Sequence, residues 1–383
     1  MSYKKAGFKV LEKLNNAGYQ AYFVGGFVRD YILDIESNDI DITTSATPQE
    51  VISLFEVVNT KGIAYNSVEV MLDGYHFEIT TFRKDVLYMD NRHPQTEIAN
   101  SIVEDLIRRD FTVNALAMDI SGDIIDIFGG VNDLKHNQIK AIGNPKIRFK
   151  EDALRMLRAC YFSSKLGFEI EKNTVDAIRN NGNLILNISS DMIKRELSKM
   201  LIQEKSLLGL KYFYETGLAN ILGLDSIVKY LLDNNIDYFS LEEIFILSQV
   251  LNGDENDKII ISKHAKKNAL EIKEALNDFN YENKKLIYTL GLDKSLLCAH
   301  ALNAQGHNFD LENIEEIYHN LNIKDTGDID LSIHEIVKEF NIGYGPVLHN
   351  IINSIIDAIL YDKVINEKEH ILSFIKDCMN ELN

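Results

Sequence analysis

The stretch that decides the fold reads Gly-Gly-Phe-Val-Arg-Asp at residues 25–30 and Asp-Ile-Asp at residues 39–41. Apolar residues 22–24 precede the glycines and predict a short strand, after which residues 28–33 predict a helix. Glycines between a strand and a helix let backbone N–H groups approach phosphate oxygens. The first segment therefore predicts a phosphate-binding turn, to which Arg29 adds a forked donor for a triphosphate.

A pair of carboxylates follows on the next predicted strand, over residues 39–43. Side chains two apart on a strand point to the same face, so Asp39 and Asp41 are predicted to lie side by side. Neighbouring carboxylates repel each other, and a cation relieves the repulsion. Mg²⁺ commonly combines one or two carboxylates with substrate phosphates, and two such ions about 4 Å apart can clamp the reacting oxygens. Glu78, on a later predicted strand, is a candidate third carboxylate, with a surface glutamate as the alternative.

The rest of the chain predicts a mixed head and a helical remainder. Strands over 68–72 and 76–82 are joined by Asp-Gly at 73–74, a strong signal for a tight hairpin. Polar residues 84–100 predict a long irregular loop. After Phe149 only helical periodicity is evident. The expected fold class is therefore α+β, with a mixed head followed by an all-helical part.

Composition narrows the classes of partner and location. The 383 residues suffice for two or three domains, no apolar run could cross a bilayer, and residues 1–14 lack a signal-peptide pattern, so we expect a cytoplasmic protein. The net charge of −18 argues against a general nucleic-acid binder. Residues 221–383 carry 28 acidic and 14 basic side chains, whereas residues 151–220 carry 9 and 10. A nucleic acid would therefore be met by the head and the middle segment.

Two arginines precede a predicted helix in Arg-Arg-Asp-Phe-Thr-Val-Asn-Ala at residues 108–115, with Asp110 as its N-cap. These arginines could contact a ribose or a phosphate. The alternative is a capped helix with an arginine pair on its surface. A further Gly-Gly segment at residues 126–134 is interpreted as a turn that closes the head.

Asp152, Arg155 and Arg158 recur on roughly one face of a predicted helix. One interpretation is an intrahelical salt bridge worth a few tenths of a kcal/mol. The other is base recognition, because a carboxylate can accept from the exocyclic amine of cytosine or adenine while a guanidinium donates to the ring nitrogen. Uracil and guanine present the reverse order, and a site built for hydrogen bonds rejects such mismatches by roughly 10⁴.

In these motifs the chain resembles the class II tRNA nucleotidyltransferases, the CCA-adding enzymes, which belong with bacterial poly(A) polymerases in the DNA polymerase β superfamily. Five motifs occur in the family's order, at residues 25–41, 108–115, 126–134, 151–155 and 193–197. The remainder of the chain matches only as a generic helical body and tail.

The resemblance implies a polymerase-β-like nucleotidyltransferase head over residues 1–147, a helical neck for base recognition over 148–205, and a body and tail that bind tRNA over 206–383. The implied reaction is template-independent addition of C and A from CTP and ATP to the 3′ end of tRNA, with release of pyrophosphate. The segment 84–100 resembles the family's loop for switching from C to A addition. No membrane partner is expected, and both a monomer and a homodimer are consistent with the sequence.

The resemblance also implies roles for particular residues. Asp39 and Asp41 would bind Mg²⁺ and catalyse, with Glu78 as the candidate third carboxylate. Nucleotide contacts would come from Gly25, Gly26, Arg29, Arg109, Asn114, Asp152, Arg155 and Arg158.

Two residues depart from the family pattern: Asp34 stands where a glycine is common, and Tyr161 where an arginine is frequent. An A-adding-only enzyme and a bacterial poly(A) polymerase are the alternatives within the family. Residues 59–65 lack the Gly-Arg-Arg-Phe-like stretch of poly(A) polymerases, and the tail is acidic. A catalytically silent RNA-binding protein is the non-enzymatic alternative, against which the presence of both Asp39 and Asp41 argues.

Overall fold

The structure is a computed structural model that describes residues 3–37, 39–88, 94–253 and 259–381. The chain divides into two compact units, Met1–Leu241 and Glu242–Asn383. The predicted boundaries of head, neck, and body and tail stay predictions. No helix in the described part of the chain is long and apolar enough to cross a membrane.

The first unit contains all the strands that the described residues form. They are β1 (Ala21–Val24), β2 (Asp41–Thr44), β3 (Glu56–Asn59), β4 (Ser67–Leu72), β5 (Tyr75–Thr81), β6 (Arg83–Tyr88), β7 (Pro94–Ile98), β8 (Leu116–Met118), β9 (Ile124–Asp126), β10 (Gln138–Ile139) and β11 (Glu169–Ile170). Seven of them form one sheet in the order β3-β4-β5-β2-β1-β8-β9, in which only β2 and β5 run parallel. β6 pairs with β7, and β10 pairs with β11.

Helices pack against this sheet and against one another, and they continue to the end of the first unit. They are α1 (Tyr3–Asn16), α2 (Gly26–Ile32), α3 (Pro48–Leu54), α4 (Ile102–Ile107), α5 (Gly130–Lys135), α6 (Pro145–Glu151), α7 (Leu154–Leu166), α8 (Lys172–Asn181), α9 (Ser190–Leu201), α10 (Ser206–Glu215), α11 (Leu218–Ile221) and α12 (Asp225–Asp233).

The second unit is helical throughout its described residues. Its helices are α13, which begins at the boundary (Leu241–Asn252), α14 (Lys263–Ala275), α15 (Lys284–Ala304), α16 (Leu311–His319), α17 (Ile333–Phe340), α18 (Pro346–Leu360) and α19 (Lys368–Glu381). Gly291 has a non-helical backbone and kinks α15. Cys298 in this unit and Cys160 in the first are buried free thiols.

Alternation along the strands places the carboxylates on one face of the sheet. Ile42 on β2 and Ile79 on β5 are about 1% exposed and pack into the core. Asp41 and Glu78 come one residue earlier on each strand, so they point to the opposite face. The predicted hairpin at residues 73–74 is confirmed, with φ of 52° at Asp73 and 81° at Gly74.

Two expectations about the first carboxylate motif and its surroundings need correction. Asp39 lies outside β2, because the turn at Gly25 ends β1 and leaves Val24–Asp41 as the last backbone pair. The backbone of Asp39 instead bonds to the hydroxyl of Ser37.

The segment 84–100 is not irregular: it contains most of the β6–β7 pair, although the part of it at residues 89–93 lies outside the described residues.

Asp110 does not cap an α-helix, contrary to the sequence-based expectation. α4 ends before it at Ile107, and only a 3₁₀ turn over Thr112–Asn114 follows. The strand β11 is likewise a small exception to the expected all-helical pattern after Phe149. At Asp34, the position where relatives commonly have glycine, φ is 58°, a left-handed conformation that aspartate tolerates.

Candidate active site

A polar cleft of about 430 Å³ in the first unit collects most of the predicted site residues. It lies where the β1–α2 turn, the segment after α4, the start of α7 and the middle of α9 meet. The predicted residues that line it are Gly25, Gly26, Arg29, Asp41, Arg109, Asn114, Asp152, Arg155 and Arg158. Asp39 and Glu78 line a separate depression on the same unit.

The glycine turn allows two charged groups to approach the backbone. Gly25 has φ of 67°, and its N–H donates to the carbonyl of Leu116 on β8. A Cβ at this position would lie 2.9 Å from Nη1 of Arg109 and 3.6 Å from Oδ2 of Asp41. Only glycine fits both the backbone conformation and the space, which leaves the turn open to a ligand beside a cation and an anion.

Asp41 is the central carboxylate of the site. It pairs with Val24 on one side and with Glu78 on the parallel neighbouring strand. Burial and the nearby Asp39 carboxylate, with a smaller contribution from Glu78, raise the pKa of Asp41 to about 6 in spite of the Arg109 guanidinium. Burial and the neighbouring carboxylates therefore disfavour the charged form of Asp41 more than Arg109 favours it.

These carboxylates fit a metal ion that also takes ligands from a substrate. The described residues contain no group of three or more His, Cys, Asp or Glu suited to a metal on their own. Mg²⁺ does not require one, since one or two carboxylates plus phosphate oxygens suffice. The Asp39 and Glu78 carboxylates contribute to the raised pKa of Asp41 after burial, and a cation would relieve that repulsion; the Glu78 carboxylate accepts from the Ser67 hydroxyl at 2.5 Å.

Arg29 is 1% exposed and held by two partners. Its Nε donates to Asp30 and its Nη1 donates to the Asn114 amide oxygen, each at 2.7 Å. The Asn114 amide nitrogen donates to Asp110 at 3.2 Å, and Arg158 Nε donates to the other oxygen of Asp110 at 2.8 Å. One continuous network thus positions two guanidinium groups and an amide around the cleft.

A carboxylate that the sequence analysis missed positions the arginine pair. Asp105 on α4 is fully buried, and its two oxygens accept from Arg108 at 3.0 Å and Arg109 at 3.2 Å. Burial alone would raise the pKa of Asp105, but the guanidinium groups of Arg109 and Arg108 hold it below its ordinary value. The spacing of three and four residues was the available sequence signal.

The predicted base-reading residues lie where one helix ends and the next begins. Asp152 follows α6, and its carboxylate accepts from the N–H of Leu154 at 3.0 Å. Arg155 donates to Glu151 at 3.2 Å and to the carbonyl of Arg108 at 2.7 Å. An ion pair thus links Arg155 at the start of α7 to Glu151 at the end of α6, and Asp152 and Arg155 both line the cleft.

Arg108, Asp110 and Leu154 also line the cleft, and six further residues complete the lining from α7 and α9 beyond Arg158: Tyr161, Phe162, Lys165, Arg195, Glu196 and Lys199. The first three follow Arg158 at helical spacing on α7, a signal that the sequence analysis did not use for Phe162 and Lys165. The Phe162 ring lies 5.6 Å from the Arg29 guanidinium and 5.1 Å from that of Arg158. Aromatic contact therefore supports both cations.

The cleft is basic overall, and two of its buried polar atoms have no hydrogen-bond partner among the described residues. Its lining contains eight basic and four acidic side chains, in a chain whose net charge is −18. Nε of Arg109 and Oε2 of Glu196 are buried without a hydrogen-bond partner among the described residues. A buried donor and a buried acceptor left unpaired indicate a polar ligand, and the excess of cations indicates that it is anionic.

Comparison with known proteins agrees with this arrangement. The profile of the Poly A polymerase head domain matches residues 21–140, the "Probable RNA and SrmB- binding site of polymerase A" matches 167–226, and tRNA nucleotidyltransferase domain 2 matches 259–375. Such a head implies the use of a divalent metal ion. The three matched segments follow one another along the chain without overlap.

Relatives that align with this chain over nearly their whole length are CCA-adding enzymes. The CCA-adding enzyme of Ligilactobacillus salivarius is 33% identical over 99% of this chain and 97% of its own length. That of Lactococcus lactis subsp. cremoris is 36% identical over 96% and 94%. The crystal structure of the Bacillus stearothermophilus CCA-adding enzyme in complex with CTP is 30% identical, covers 100% of this chain and 99% of that one, and has a TM-score of 0.76. The chain therefore belongs to the CCA-adding enzymes, the class II tRNA nucleotidyltransferases.

Proposed function

We propose that this chain adds C and A nucleotides to the 3′ end of tRNA from CTP and ATP, without a nucleic-acid template. The observation that carries the proposal is the position of Asp41. Its carboxylate lies beside the open Gly25 turn and near Arg109, at one end of a basic cleft. This is the arrangement that a nucleoside triphosphate and a divalent cation require together.

Mg²⁺ is the metal ion that we propose, held by Asp39 and Asp41 with Glu78 close by. When bound, it would lower the pKa of the terminal 3′-hydroxyl and neutralise charge on the departing pyrophosphate. Asp41 contributes a partly buried carboxylate oxygen next to the turn. The missing Cβ of Gly25 leaves room for the phosphates to approach, and the Arg109 guanidinium offsets their charge.

Base selection would rest on Asp152 and Arg155. Both are less than 10% exposed, so a base that leaves either one unpaired would forfeit a buried hydrogen bond. The contacts of Arg155 with Glu151 and the Arg108 carbonyl fix the direction of its guanidinium. A rigid pair of this kind accepts the amine-and-ring-nitrogen edge shared by cytosine and adenine.

We expect the substitution Asp152→Ala to raise incorporation of UTP relative to CTP by about 30-fold, because losing one buried acceptor removes roughly 2 kcal/mol of discrimination. The measurement is the ratio of kcat/KM values for the two nucleotides on tRNA that lacks its CCA end. Asp176→Ala is the matched control, since that exposed carboxylate on α8 pairs with Arg179 outside the cleft. An unchanged rejection of UTP would refute the base-reading role.

The activity itself is tested with tRNAs that end before, within and after CCA. CTP and ATP are offered separately and together with Mg²⁺, and product lengths are read on a sequencing gel. We expect two C residues and one A, followed by arrest. Addition of A alone to tRNA ending in CC would indicate an A-adding enzyme, continued A addition a poly(A) polymerase, and no product a silent RNA-binding protein.

Within this proposal residues 1–147 form the catalytic head, 148–205 the base-recognition neck, and 206–383 the tRNA-binding body and tail. The RNA-binding profile over residues 167–226 supports contact with tRNA across the last boundary. We propose the cytoplasm as the compartment of the reaction.

A further inference from the structure

The cations of the cleft differ in whether they already have a partner. Arg29 is bonded to Asp30, and Arg158 is bonded to Asp110. On α9, Lys199 lies 3.1 Å from Glu196. Three more arginines of the lining, Arg108, Arg109 and Arg155, are paired with Asp105 or Glu151, and Arg195 lies 4.0 Å from Glu196. Most of the cationic side chains in the cleft are therefore already paired with carboxylates of the folded chain.

Lys165 is the exception. It lines the cleft from α7 with a half-buried side chain, and among the described residues it has neither an ion pair nor a hydrogen bond. It follows Phe162 by three residues and Tyr161 by four, so it lies on the α7 face that presents Arg158 to the cleft. An ammonium group with no internal partner can bind an anionic ligand without breaking an existing bond.

We propose that Lys165 binds phosphate oxygens of the incoming nucleoside triphosphate and is a nucleotide-binding residue of this chain. This inference rests on the proposed function. Tyr161, one turn earlier on the same helix face, carries no positive charge at a position where the family frequently has an arginine. We therefore assign the contact with the phosphates to Lys165. A flexible ammonium is suited to the task because it follows a phosphate that shifts position, whereas the arginines are held by their partners.

The surroundings of Lys165 favour the triphosphate over a phosphate of the tRNA backbone. Burial, together with the neighbouring Arg29 and Lys199 cations, lowers the pKa of Lys165, although Asp30 and Asp39 oppose the shift. The side chain is thus within electrostatic reach of both Arg29 and the proposed metal ligand Asp39. Because Lys165 and Arg29 line the same cleft, both cations face the space into which a metal-bound triphosphate would extend.

The test compares wild type with Lys165→Met, Lys165→Arg and the control Lys140→Met, which changes an exposed lysine of the head outside the cleft. Affinity for CTP with Mg²⁺ is measured by calorimetry in the absence of tRNA, and affinity for tRNA by filter binding. We expect Lys165→Met to weaken CTP binding about tenfold and to leave tRNA binding unchanged. Lys165→Arg should recover most of the loss, and Lys140→Met should match wild type.

Any of the following outcomes would contradict the inference. Equal CTP affinity in Lys165→Met and wild type would show that the lysine does not bind the triphosphate. Weakened tRNA binding with unchanged CTP binding would assign it to a phosphate of the primer instead. Failure of wild type itself to bind CTP would reject the proposed function, which separates that failure from failure of this inference. Thermal melts of all four proteins verify that the variants are folded.

Discussion

Asp41→Asn is expected to reduce nucleotide addition by about 10³-fold or more while leaving tRNA binding intact. A metal-bound phosphoryl centre contributes several kcal/mol of charge stabilisation, and about 4 kcal/mol corresponds to that factor. The neutral amide keeps the size of the side chain but removes the charge that ligates the cation. Asp123→Asn, which neutralises an exposed carboxylate outside the cleft, should retain full activity. Robust addition by Asp41→Asn would refute the metal assignment.

The same variant is expected to be more stable than wild type when no metal is present. The pKa of Asp41 rises from 3.8 to about 6 on folding, so the folded state binds a proton more tightly than the unfolded state. The stability contributed by protonated Asp41 is present below about 3.8 and is lost as the pH rises through 6. Thermal midpoints measured in EDTA should therefore be higher for Asp41→Asn at pH 7.5, and the difference should vanish near pH 4. A lower midpoint at pH 7.5 would contradict the electrostatic account.

Asp110→Ala is expected to lower the free energy of unfolding by about 3 kcal/mol, the range for removing one partner of a buried ion pair. Asp110 is 8% exposed, and its carboxylate accepts from Arg158, from the Asn114 amide and from the N–H of Phe111. Its loss leaves the Arg158 guanidinium unpaired and frees the amide that holds Arg29. The variant should therefore also bind CTP more weakly, because two guanidinium groups lose their direction.

Urea denaturation monitored by circular dichroism measures this effect. Asp191→Ala is the matched control, since its pair with Lys194 on α9 is exposed and should contribute less than about 0.5 kcal/mol. Arg158 holds the pKa of Asp110 below its ordinary 3.8 although burial opposes it, so wild type loses this contribution only as the pH falls below that value. A change in unfolding free energy under 1 kcal/mol at pH 7 would show that the network is not a structural support.

Local sequence predicted the parts of the site that depend on neighbouring residues. The glycine turn before α2 and the hairpin at residues 73–74 both follow from backbone conformations that few residue types adopt. The placement of Asp41 on a strand with Ile42 buried behind it follows from alternation. The predictions for Asp39 and for the segment 84–100 were wrong because strand pairing there depends on partners that the local sequence pattern does not identify.

The bonds that position the arginines could not be predicted in this way. Arg29 and Asn114 are 85 residues apart, and Asp110 and Arg158 are 48 residues apart. No local pattern specifies such a pairing, so Asp110 was interpreted as a helix cap rather than as the partner of Arg158. Asp105 was overlooked because a buried carboxylate looks like any acidic residue of an amphipathic helix until its environment is known.

The order of residues along the chain was enough to predict the chemical groups of the site and the turns and strands that depend on near neighbours. Which charges neutralise each other, and which remain available to a ligand, became known from the folded chain. Coulomb energy and desolvation depend on separation and burial, and folding sets both between residues far apart in sequence. The raised pKa of Asp41 arises at that level, and so does the Lys165 ammonium, which has no partner among the described residues.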